Sequence, residues 1–191
     1  MLTLKNITKK YGDKTVLDGF SFSFPEKGFV AISGMSGIGK TTLLNIIMGL
    51  EKADSGEIIW DISEPKISCV FQEDRLLERE SALENVLFVI KDRTEEEKKK
   101  AIRILEELGL GAELDTKAKE LSGGMARRVA IARALAFTAD IYIMDEPIKG
   151  LDAETRKQTI DTIRHWTEGK LLIMVSHNPE DAQGADIELT M

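Results

Sequence analysis

Apolar and polar positions alternate in the first part of the chain, and this pattern predicts β-strands. Residues 2–7 alternate in this way, and so do residues 20–24, where three phenylalanines are separated by serines. Tyr11 and Gly12 predict a turn between these two strands. A Ser-Gly pair then precedes another short predicted strand at residues 57–60. The N-terminal part of the chain is therefore expected to contain several strands.

Continuous apolar runs predict a second kind of strand, buried on both faces. These runs cover residues 28–33, 67–71, 141–144 and 170–176, and a last strand is expected at residues 186–190. Helical patterns lie between most of these runs. An alternation of buried strands and helices is typical of α/β proteins, so we expect a core sheet that is largely parallel.

Apolar residues spaced three and four apart predict the helices. The predicted helices cover residues 41–50, 81–90, 94–108 and 122–137, and a further helix begins at Asp152. Ser81 and Thr94 are each followed three residues later by glutamate, which is the pattern of a capping box. Gly109 is suited to end the third of these helices. Asn178 and Pro179 are typical of one more helical start.

The sequence at residues 34–41 fits G-x-x-x-x-G-K-T, the phosphate-binding P-loop motif. It lies between a predicted buried strand and a predicted helix, which is the context that gives the motif its meaning. Its glycines allow successive backbone N–H groups to point into one concavity, and the helix dipole adds partial positive charge there. Lys40 is suited to contact the β- and γ-phosphates, and the Thr41 hydroxyl is suited to bind Mg²⁺.

Two carboxylates follow directly after the apolar run at residues 141–144. Asp145 and Glu146 therefore lie at the carboxyl end of a predicted strand, where α/β sheets bind ligands. Asp145 is suited to hold Mg²⁺ directly or through water. Glu146 is suited to polarise the water that attacks a γ-phosphate. Together with the P-loop, these acids predict nucleotide hydrolysis as well as nucleotide binding.

Composition narrows the class of protein further. The chain has 191 residues, enough for one domain, and its formal net charge is −7, which argues against a nucleic-acid partner. A single cysteine, Cys69, excludes an intrachain disulfide, and its mid-strand position predicts a buried small side chain. The sequence contains no signal-peptide pattern and no apolar run long enough to span a membrane. We expect a soluble, cytosolic protein.

Five further motifs carry a resemblance to the ATP-binding-cassette (ABC) ATPases. Residues 121–125, Leu-Ser-Gly-Gly-Met, resemble the signature motif of that family. In their expected order, the others are an A-loop aromatic at Tyr11, a Q-loop glutamine at Gln72, a D-loop at residues 150–152 and a switch histidine at His177. With the P-loop and the paired acids, the resemblance covers essentially the whole chain.

The resemblance implies an ABC cassette: an α/β P-loop NTPase fold with a mainly parallel core sheet, an antiparallel β subdomain and a small helical subdomain. Residues 1–191 would form a single ATP-binding domain, with the helical subdomain at about residues 74–120. The expected ligands are ATP and Mg²⁺. The enzyme activity would be ATP hydrolysis coupled to transport.

The resemblance also implies roles for individual residues. Lys40, Glu146 and His177 would be catalytic, and Thr41, Gln72 and Asp145 would hold the metal. The residues that would bind nucleotide are Tyr11, Gly34, Ser36, Gly37, Gly39, Lys40, Thr41, Thr42, Gln72, Ser122, Gly123, Gly124 and Asp152.

In the family, ATP is sandwiched between the P-loop of one subunit and the signature motif of the other. The resemblance thus implies a head-to-tail dimer, formed by two copies or by a paired cassette. It also implies integral membrane permease subunits as partners, and a cytoplasmic location at the inner face of the cell membrane. No nucleic-acid partner is expected.

The chain departs from the family pattern at two motifs. Met125 replaces the usual glutamine of the signature, and Lys149-Gly150 stand where small residues such as Ser-Ala are common in the D-loop. The chain is also short for the family. Arg127, Arg128 and Arg133 lie on the predicted signature helix, where we expect a solvated or subunit-facing role.

Three biological roles are compatible with these motifs. We favour a transporter subunit, because the segment from Gln72 to Ser122 suits a subdomain that docks on membrane subunits. Residues 71–77 and 82–86 resemble the nitrate, sulfonate and taurine importers, and also some lipoprotein- and antibiotic-export ATPases; we favour an importer. The alternatives are a soluble ABC-type ATPase acting on DNA or ribosomes, and a non-ABC small-molecule kinase.

Overall fold

The computed structural model describes residues 2–191, apart from the side chain of Pro179. The chain forms two compact units. The first contains the N-terminal part of the chain as far as Ile67, together with residues 139–145 and 169–191. The second contains residues 68–138 and 146–168. The predicted bounds of a helical subdomain at residues 74–120, within a single domain, stay a prediction.

An antiparallel sheet of three strands forms one part of the first unit. Its strands in spatial order are β2 (Lys14–Phe24), β1 (Leu2–Tyr11) and β4 (Ser55–Trp60). Leu4 is paired with Phe22 on one side and with Ile58 on the other, so the alternating apolar residues lie on one buried face. β1 and β2 are longer than predicted and meet at a tight turn, because Gly12 adopts a φ of 57° directly after Tyr11.

Parallel strands form the second sheet of this unit. Their spatial order is β6 (Ile141–Asp145), β7 (Leu171–Val175), β3 (Gly28–Ser33) and β8 (Ile187–Thr190). Every residue of β6 and β7 is buried, as their unbroken apolar runs predicted. β5 (Ile67–Val70) begins at the last residue of the first unit's opening segment and continues into the second unit. The predicted α/β fold with a mainly parallel sheet is confirmed.

Helix α1 (Lys40–Ile47) packs into the core of the first unit through Leu43, Leu44, Ile46 and Ile47. The same core contains Leu2, Leu4 and Ile7 of β1 and the apolar residues of β3, β6 and β7. Residues 34–39 connect the carboxyl end of β3 to the start of α1, so the P-loop joins a buried strand to a buried helix. Both of its ends are therefore fixed by core packing.

The second unit is helical except for its part of β5. Its helices are α2 (Ala82–Leu87), α3 (Glu95–Glu107), α4 (Gly123–Ala136) and α5 (Ala153–Trp166). α4 contacts each of the other three helices. The predicted caps are present: Ser81, Thr94, Ser122 and Asp152 each accept a hydrogen bond from a backbone N–H in the first turn.

Other local predictions also differ from the structure. α1 ends at Ile47 rather than at residue 50. α2 ends at Leu87 rather than near residue 90, because the N–H of Ile90 bonds to the Leu87 carbonyl in a tight turn, and the β-branched Val89 and Ile90 favour helix weakly. Cys69 is half-buried, since Ser68 and Val70 take the inward positions of β5. Burial nevertheless raises the pKa of the Cys69 thiol. Within residues 2–191, no helix has the length and apolarity needed to cross a membrane.

Candidate nucleotide site

The P-loop backbone depends on glycine at two close approaches. Gly34 has a φ of 143°, and a Cβ there would lie 2.7 Å from the Met191 carbonyl oxygen. Gly39 has a φ of 116°, and a Cβ there would lie 2.8 Å from Val16 Cγ1. Side chains are strained in this region of φ and would also clash. The loop can therefore curl as the motif predicted, and Ser36 and Gly37 at its tip are exposed.

Lys40 begins α1 and is only 6% exposed. Its ammonium group donates hydrogen bonds to the carbonyl oxygens of Gly34 and Met35, at 2.8 and 2.9 Å. The side chain thus folds back across the loop that it is predicted to serve. A buried ammonium group held by neutral carbonyls favours an anion, so the loop is electrostatically suited to phosphate.

Thr41 and Asp145 lie together, although 104 residues separate them in the chain. The Thr41 hydroxyl donates a hydrogen bond of 2.7 Å to Asp145 Oδ2, and the Asp145 residue is 6% exposed at the end of β6. A hydroxyl and a carboxylate are hard oxygen donors, and Mg²⁺ is usually held by one or two carboxylates together with substrate phosphates and water. The donor set therefore fits Mg²⁺ bound with a nucleotide.

Tyr11 ends β1 with its side chain 45% exposed. Its hydroxyl donates to Glu51 Oε2 at 2.6 Å, and the Lys9 ammonium group lies 5.3 Å from its ring centroid. The hydrogen bond to Glu51, with some burial, raises the pKa of Tyr11, while a hydrogen bond with the Thr42 side chain lowers it. Tyr11 therefore lies beside Thr42 of α1. Stacking of this ring on adenine stays a prediction.

His177 is exposed just beyond β7. The preceding Ser176 donates a short hydrogen bond to the Asp181 carboxylate and accepts the N–H of Asn178. Asn178 in turn caps a 3-10 helix at Pro179–Ala182. These bonds fix the backbone on either side of His177. The end of β7 and the capped turn therefore determine the position of the His177 backbone.

In the second unit, the signature residues form the N-terminus of α4. The Ser122 hydroxyl accepts the N–H of Met125 at 3.3 Å, and Gly123 and Gly124 are the first two helical residues. The cap uses the backbone of Met125, so methionine in place of glutamine leaves it intact. A Cβ at Gly123 would meet no atom within 4 Å, which leaves open space beside the helix N-terminus. Such a terminus is suited to an anion.

Gln72 follows β5 with an exposed side chain, and its carbonyl oxygen accepts a 3.2 Å hydrogen bond from Arg127. Glu146 has a φ of 49°, which is unusual for a residue other than glycine. Its side chain is 11% exposed, and its Oε2 lies 2.6 Å from the Lys149 ammonium group. Backbone strain at a buried carboxylate is typical of a functional position.

Asp152 caps α5 by accepting the Thr155 N–H at 3.0 Å. This hydrogen bond lowers the pKa of Asp152. At pH 7 the side chain is therefore an anion at a helix N-terminus, where the dipole favours it. A purely structural cap would explain the same geometry, so a role toward a facing subunit stays a prediction.

The expectation of a solvated role for the arginines of α4 is wrong for Arg127, which is 5% exposed. Its guanidinium group bonds to carbonyl oxygens in two separate segments of the unit. Arg128 bonds to the Leu108 carbonyl, and Arg133 to those of Asp74 and Arg75. Burial lowers the pKa of both Arg128 and Arg133. These side chains anchor loops to α4.

Sequence reasoning also missed Asn85, which is fully buried in α2. Its Oδ1 accepts the Leu77 N–H at 2.7 Å, and its Nδ2 donates to the carbonyl oxygens of Leu77 and Ser81. It therefore fixes the loop that leads into α2. The sequence did contain a signal for this role, because a polar asparagine stands among apolar residues of the helix, four residues after the cap Ser81. A buried polar side chain at such a position needs hydrogen-bond partners.

These features define a class of protein. A glycine loop connects a parallel strand to a helix, and a buried lysine folds back onto that loop. The aspartate at the end of β6 is hydrogen-bonded to the threonine that follows the lysine. This combination defines a P-loop nucleotide-binding protein. The family model described as ABC transporter matches residues 17–149. The chain belongs to this family, and the predicted membership is confirmed.

Curated relatives agree with this assignment. The chain is 35% identical over 195 residues to the spermidine/putrescine import ATP-binding protein PotA of Mycoplasma capricolum, covering 95% of this chain and 56% of the relative. It is 38% identical over 198 residues to the sulfate/thiosulfate import ATP-binding protein CysA of Burkholderia mallei, with the same coverage. The chain thus spans about half the length of these relatives.

A solved structure matches over nearly its full length. It is a dimeric, post-hydrolysis state of the ATP-binding cassette MJ0796 bound to ADP and Pi. The identity is 32%, the TM-score is 0.87, and the alignment covers 100% of this chain and 94% of that one. The predicted ABC cassette fold is therefore confirmed. The narrower resemblance to nitrate, sulfonate and taurine importers stays a prediction.

Proposed function

We propose that this chain binds and hydrolyses ATP and thereby powers the transport of a solute through partner membrane subunits. The observation that carries the proposal is the 2.7 Å hydrogen bond between Thr41 and Asp145, beside the buried Lys40. It brings together the loop hydroxyl and the strand-end carboxylate that a magnesium–nucleotide complex requires. The family membership supports the same activity.

The phosphates of ATP bind to the P-loop N–H groups, and the Lys40 ammonium group exchanges its carbonyl partners for phosphate oxygens. Tyr11 stacks on the adenine. Thr41, Asp145 and Gln72 would hold Mg²⁺, which would supply positive charge to offset that of the phosphates. Ser36, Thr42 and the loop glycines complete the phosphate contacts.

Hydrolysis requires a group that orients water toward the γ-phosphate. Glu146 accepts a hydrogen bond from the attacking water and takes its proton as the bond to phosphorus forms. His177 donates a hydrogen bond to the γ-phosphate and stabilises charge on its oxygens. The bond from the γ-phosphorus to the bridging oxygen of the β-phosphate breaks in the same step, so the products are ADP and inorganic phosphate.

The active form is a head-to-tail dimer with two nucleotide sites. In each site, the Ser122 hydroxyl and the N–H groups of Gly123 and Gly124 from one subunit bind the γ-phosphate held by the P-loop of the other. Asp152 contacts the facing subunit. ATP closes the dimer because its phosphate bridges both surfaces, and hydrolysis removes that bridge. The MJ0796 structure, a dimer bound to ADP and Pi, supports a dimeric form.

Permease subunits in the membrane are the proposed partners, and the chain acts at the cytoplasmic face through them. PotA and CysA are named as import proteins, and import is the direction that we favour. MacB of Campylobacter jejuni, which is 36% identical to this chain over 204 residues, is named as a macrolide export protein, so the relatives include both directions. The named solutes of these relatives differ from each other. The cassette alone therefore leaves the solute of this chain open.

The first test is ATP-dependent dimerisation of Glu146→Gln. The amide cannot take the proton, so ATP should bind, hydrolysis should stop, and the dimer should persist in light scattering. The control is Glu96→Gln, which makes the same charge change at an exposed position of α3 and should turn over ATP like the wild type. A Glu146→Gln chain that stays monomeric at saturating ATP counts against the sandwich.

The second test identifies the partner. Tagged Glu146→Gln is used to capture complexes from detergent-extracted membranes of the native host in the presence of ATP. A multi-span membrane protein at comparable stoichiometry supports the transporter role. Recovery of ribosomes or DNA-bound proteins alone supports the soluble ABC-type alternative.

A further inference from the structure

We propose that Arg127 is a positioning residue for ATP hydrolysis, which holds the backbones of Gln72 and Glu146 to the signature helix through one buried guanidinium group. The inference rests on the proposed function, because it concerns how the second unit positions the residues of that reaction. Arg127 belongs to α4, five residues after its cap Ser122.

The hydrogen bonds of Arg127 reach two segments that are far apart in sequence. Nη1 donates to the carbonyl oxygens of Phe71 and Gln72, at 2.6 and 3.2 Å. Nη2 donates to the Glu146 carbonyl at 2.7 Å, and Nε donates to the Pro147 carbonyl at 2.9 Å. Three groups of one rigid plane therefore connect the Q-loop to the segment of Glu146.

Burial makes this arrangement costly to disturb. Arg127 is 5% exposed, and a buried charged group must keep its hydrogen bonds to avoid a large desolvation penalty. Asp74 Oδ1 supplies the countercharge at 2.9 Å, on the same segment as Gln72. A movement of α4 is thus expected to move the backbones of residues 71–74 and 146–147 with it.

The backbone of Glu146 is where this tether matters. Its φ of 49° is a conformation that other residues rarely adopt, so it needs support from its surroundings. The Arg127 hydrogen bond to its carbonyl supplies such support. Because misplacing a reacting group by about 1 Å can cost about a hundred-fold in rate, losing it should affect turnover more than binding.

The test compares two arginines of the same helix in the full chain. Arg127→Lys keeps the charge but cannot form the fork of three hydrogen-bonding groups. We expect its kcat for ATP to fall about ten- to hundred-fold, while its Kd for ATP changes by less than about three-fold. Arg133→Lys is the matched control, since Arg133 also anchors loop carbonyls from α4 but makes no bond to residue 146. Its kcat should change by less than about three-fold.

A double-mutant cycle separates positioning from general loosening. Gln72→Ala removes the side chain that the tether positions. If Arg127 acts partly through Gln72, the combined loss in kcat should be smaller than the product of the single losses. Independent, multiplicative losses, or equal losses in Arg127→Lys and Arg133→Lys, would overturn the proposal.

Arg127→Lys could fail to fold, and Asp74→Ala then provides the test. The Asp74 side chain is 29% exposed, and Arg127 keeps its four carbonyl acceptors when Asp74 is lost. The fold should therefore remain intact while the anchor of Arg127 weakens. We expect kcat to fall about three-fold at constant Kd; unchanged kcat would overturn the positioning role. A wild-type chain that binds ATP without hydrolysing it would instead contradict the proposed function, which keeps the two failures distinct.

Discussion

The ammonium group of Lys149 lies 2.6 Å from Oε2 of Glu146. The lysine side chain is 63% exposed and the glutamate side chain 11%, so an exposed cation covers a nearly buried carboxylate. If Glu146 orients the attacking water as proposed, an ammonium group so close occupies one of its two oxygens, and we infer that Lys149 competes with that water.

Removing Lys149 should therefore increase basal turnover. Because the Lys149 ammonium group is on an exposed side chain, solvent screens the pair, and we take its contribution as about 0.2–1 kcal/mol. We therefore expect Lys149→Ala to raise the kcat for ATP about two- to five-fold in the isolated protein. Release of inorganic phosphate at saturating ATP measures this change. Salt should reduce the difference between the variant and the wild type, because it screens exposed charges.

The control for this prediction is Lys157→Ala. Lys157 is an exposed lysine of α5 whose ammonium group lies 3.7 Å from Asp161. It therefore pairs with an acid of its own helix and not with Glu146. Its loss should leave kcat unchanged. If Lys149→Ala lowered kcat, the lysine would support the carboxylate in hydrolysis rather than compete for it.

Magnesium dependence tests the pairing of Thr41 with Asp145. In the wild type, Mg²⁺ should tighten ATP binding relative to buffer with EDTA. Asp145→Asn replaces a charged carboxylate ligand by a neutral amide oxygen that binds Mg²⁺ more weakly, and Thr41→Val removes the hydroxyl ligand. We expect each change to reduce that gain about ten-fold or more. Equilibrium binding of ATP with and without Mg²⁺ gives the ratio. Asp140→Asn, at the residue before β6, should keep the full gain; if the Asp145 variant also kept it, that carboxylate would not hold the metal.

Local chemistry explains which parts of the site were predictable. The loop glycines, Lys40 and Thr41 occur at fixed spacing, since one short stretch of backbone must surround the phosphates. Asp145 ends a strand whose continuous apolar run was visible in the sequence. The helix caps were equally visible, because a cap and the N–H that it accepts lie three residues apart.

The hydrogen bonds of Arg127 could not be predicted from the sequence, and the reason is the chemistry of their acceptors. Its acceptors are mainly backbone carbonyls, at Phe71, Gln72, Glu146 and Pro147, and a carbonyl is present at every residue. No side-chain pattern marks which carbonyls a fold brings within reach of a guanidinium group. Arg127 therefore resembled Arg128 and Arg133 in sequence, and the structure distinguishes it by its deeper burial and by its bond to the Glu146 carbonyl.

The stability of the P-loop should depend sharply on Gly39. A Cβ there would lie 2.8 Å from Val16 Cγ1 and 2.9 Å from the Val16 carbonyl oxygen, at a φ of 116°. We expect Gly39→Ala to lower the free energy of unfolding by about 2–4 kcal/mol, as measured by urea denaturation. Gly123→Ala is the control, because its Cβ would meet no atom within 4 Å at the start of α4. Equal stability of the two variants would contradict the steric account.

The hydrogen bond from Tyr11 to Glu51 should make the stability of the chain depend on pH in the alkaline range. This bond, at 2.6 Å, raises the pKa of Tyr11 above its ordinary value of 10.0. Because the pKa of Tyr11 is raised in the folded state, the contribution of this hydrogen bond to the free energy of unfolding is complete below pH 10. It is lost as the pH rises through the folded-state pKa.

In a Tyr142→Phe variant, Tyr11 is the one that remains of the 2 tyrosines, so phenolate absorbance reports its pKa alone. Glu51→Gln should lower that pKa toward its ordinary value, whereas Glu57→Gln on β4 should leave it unchanged; a Glu51→Gln chain with the wild-type titration would mean that another group raises it.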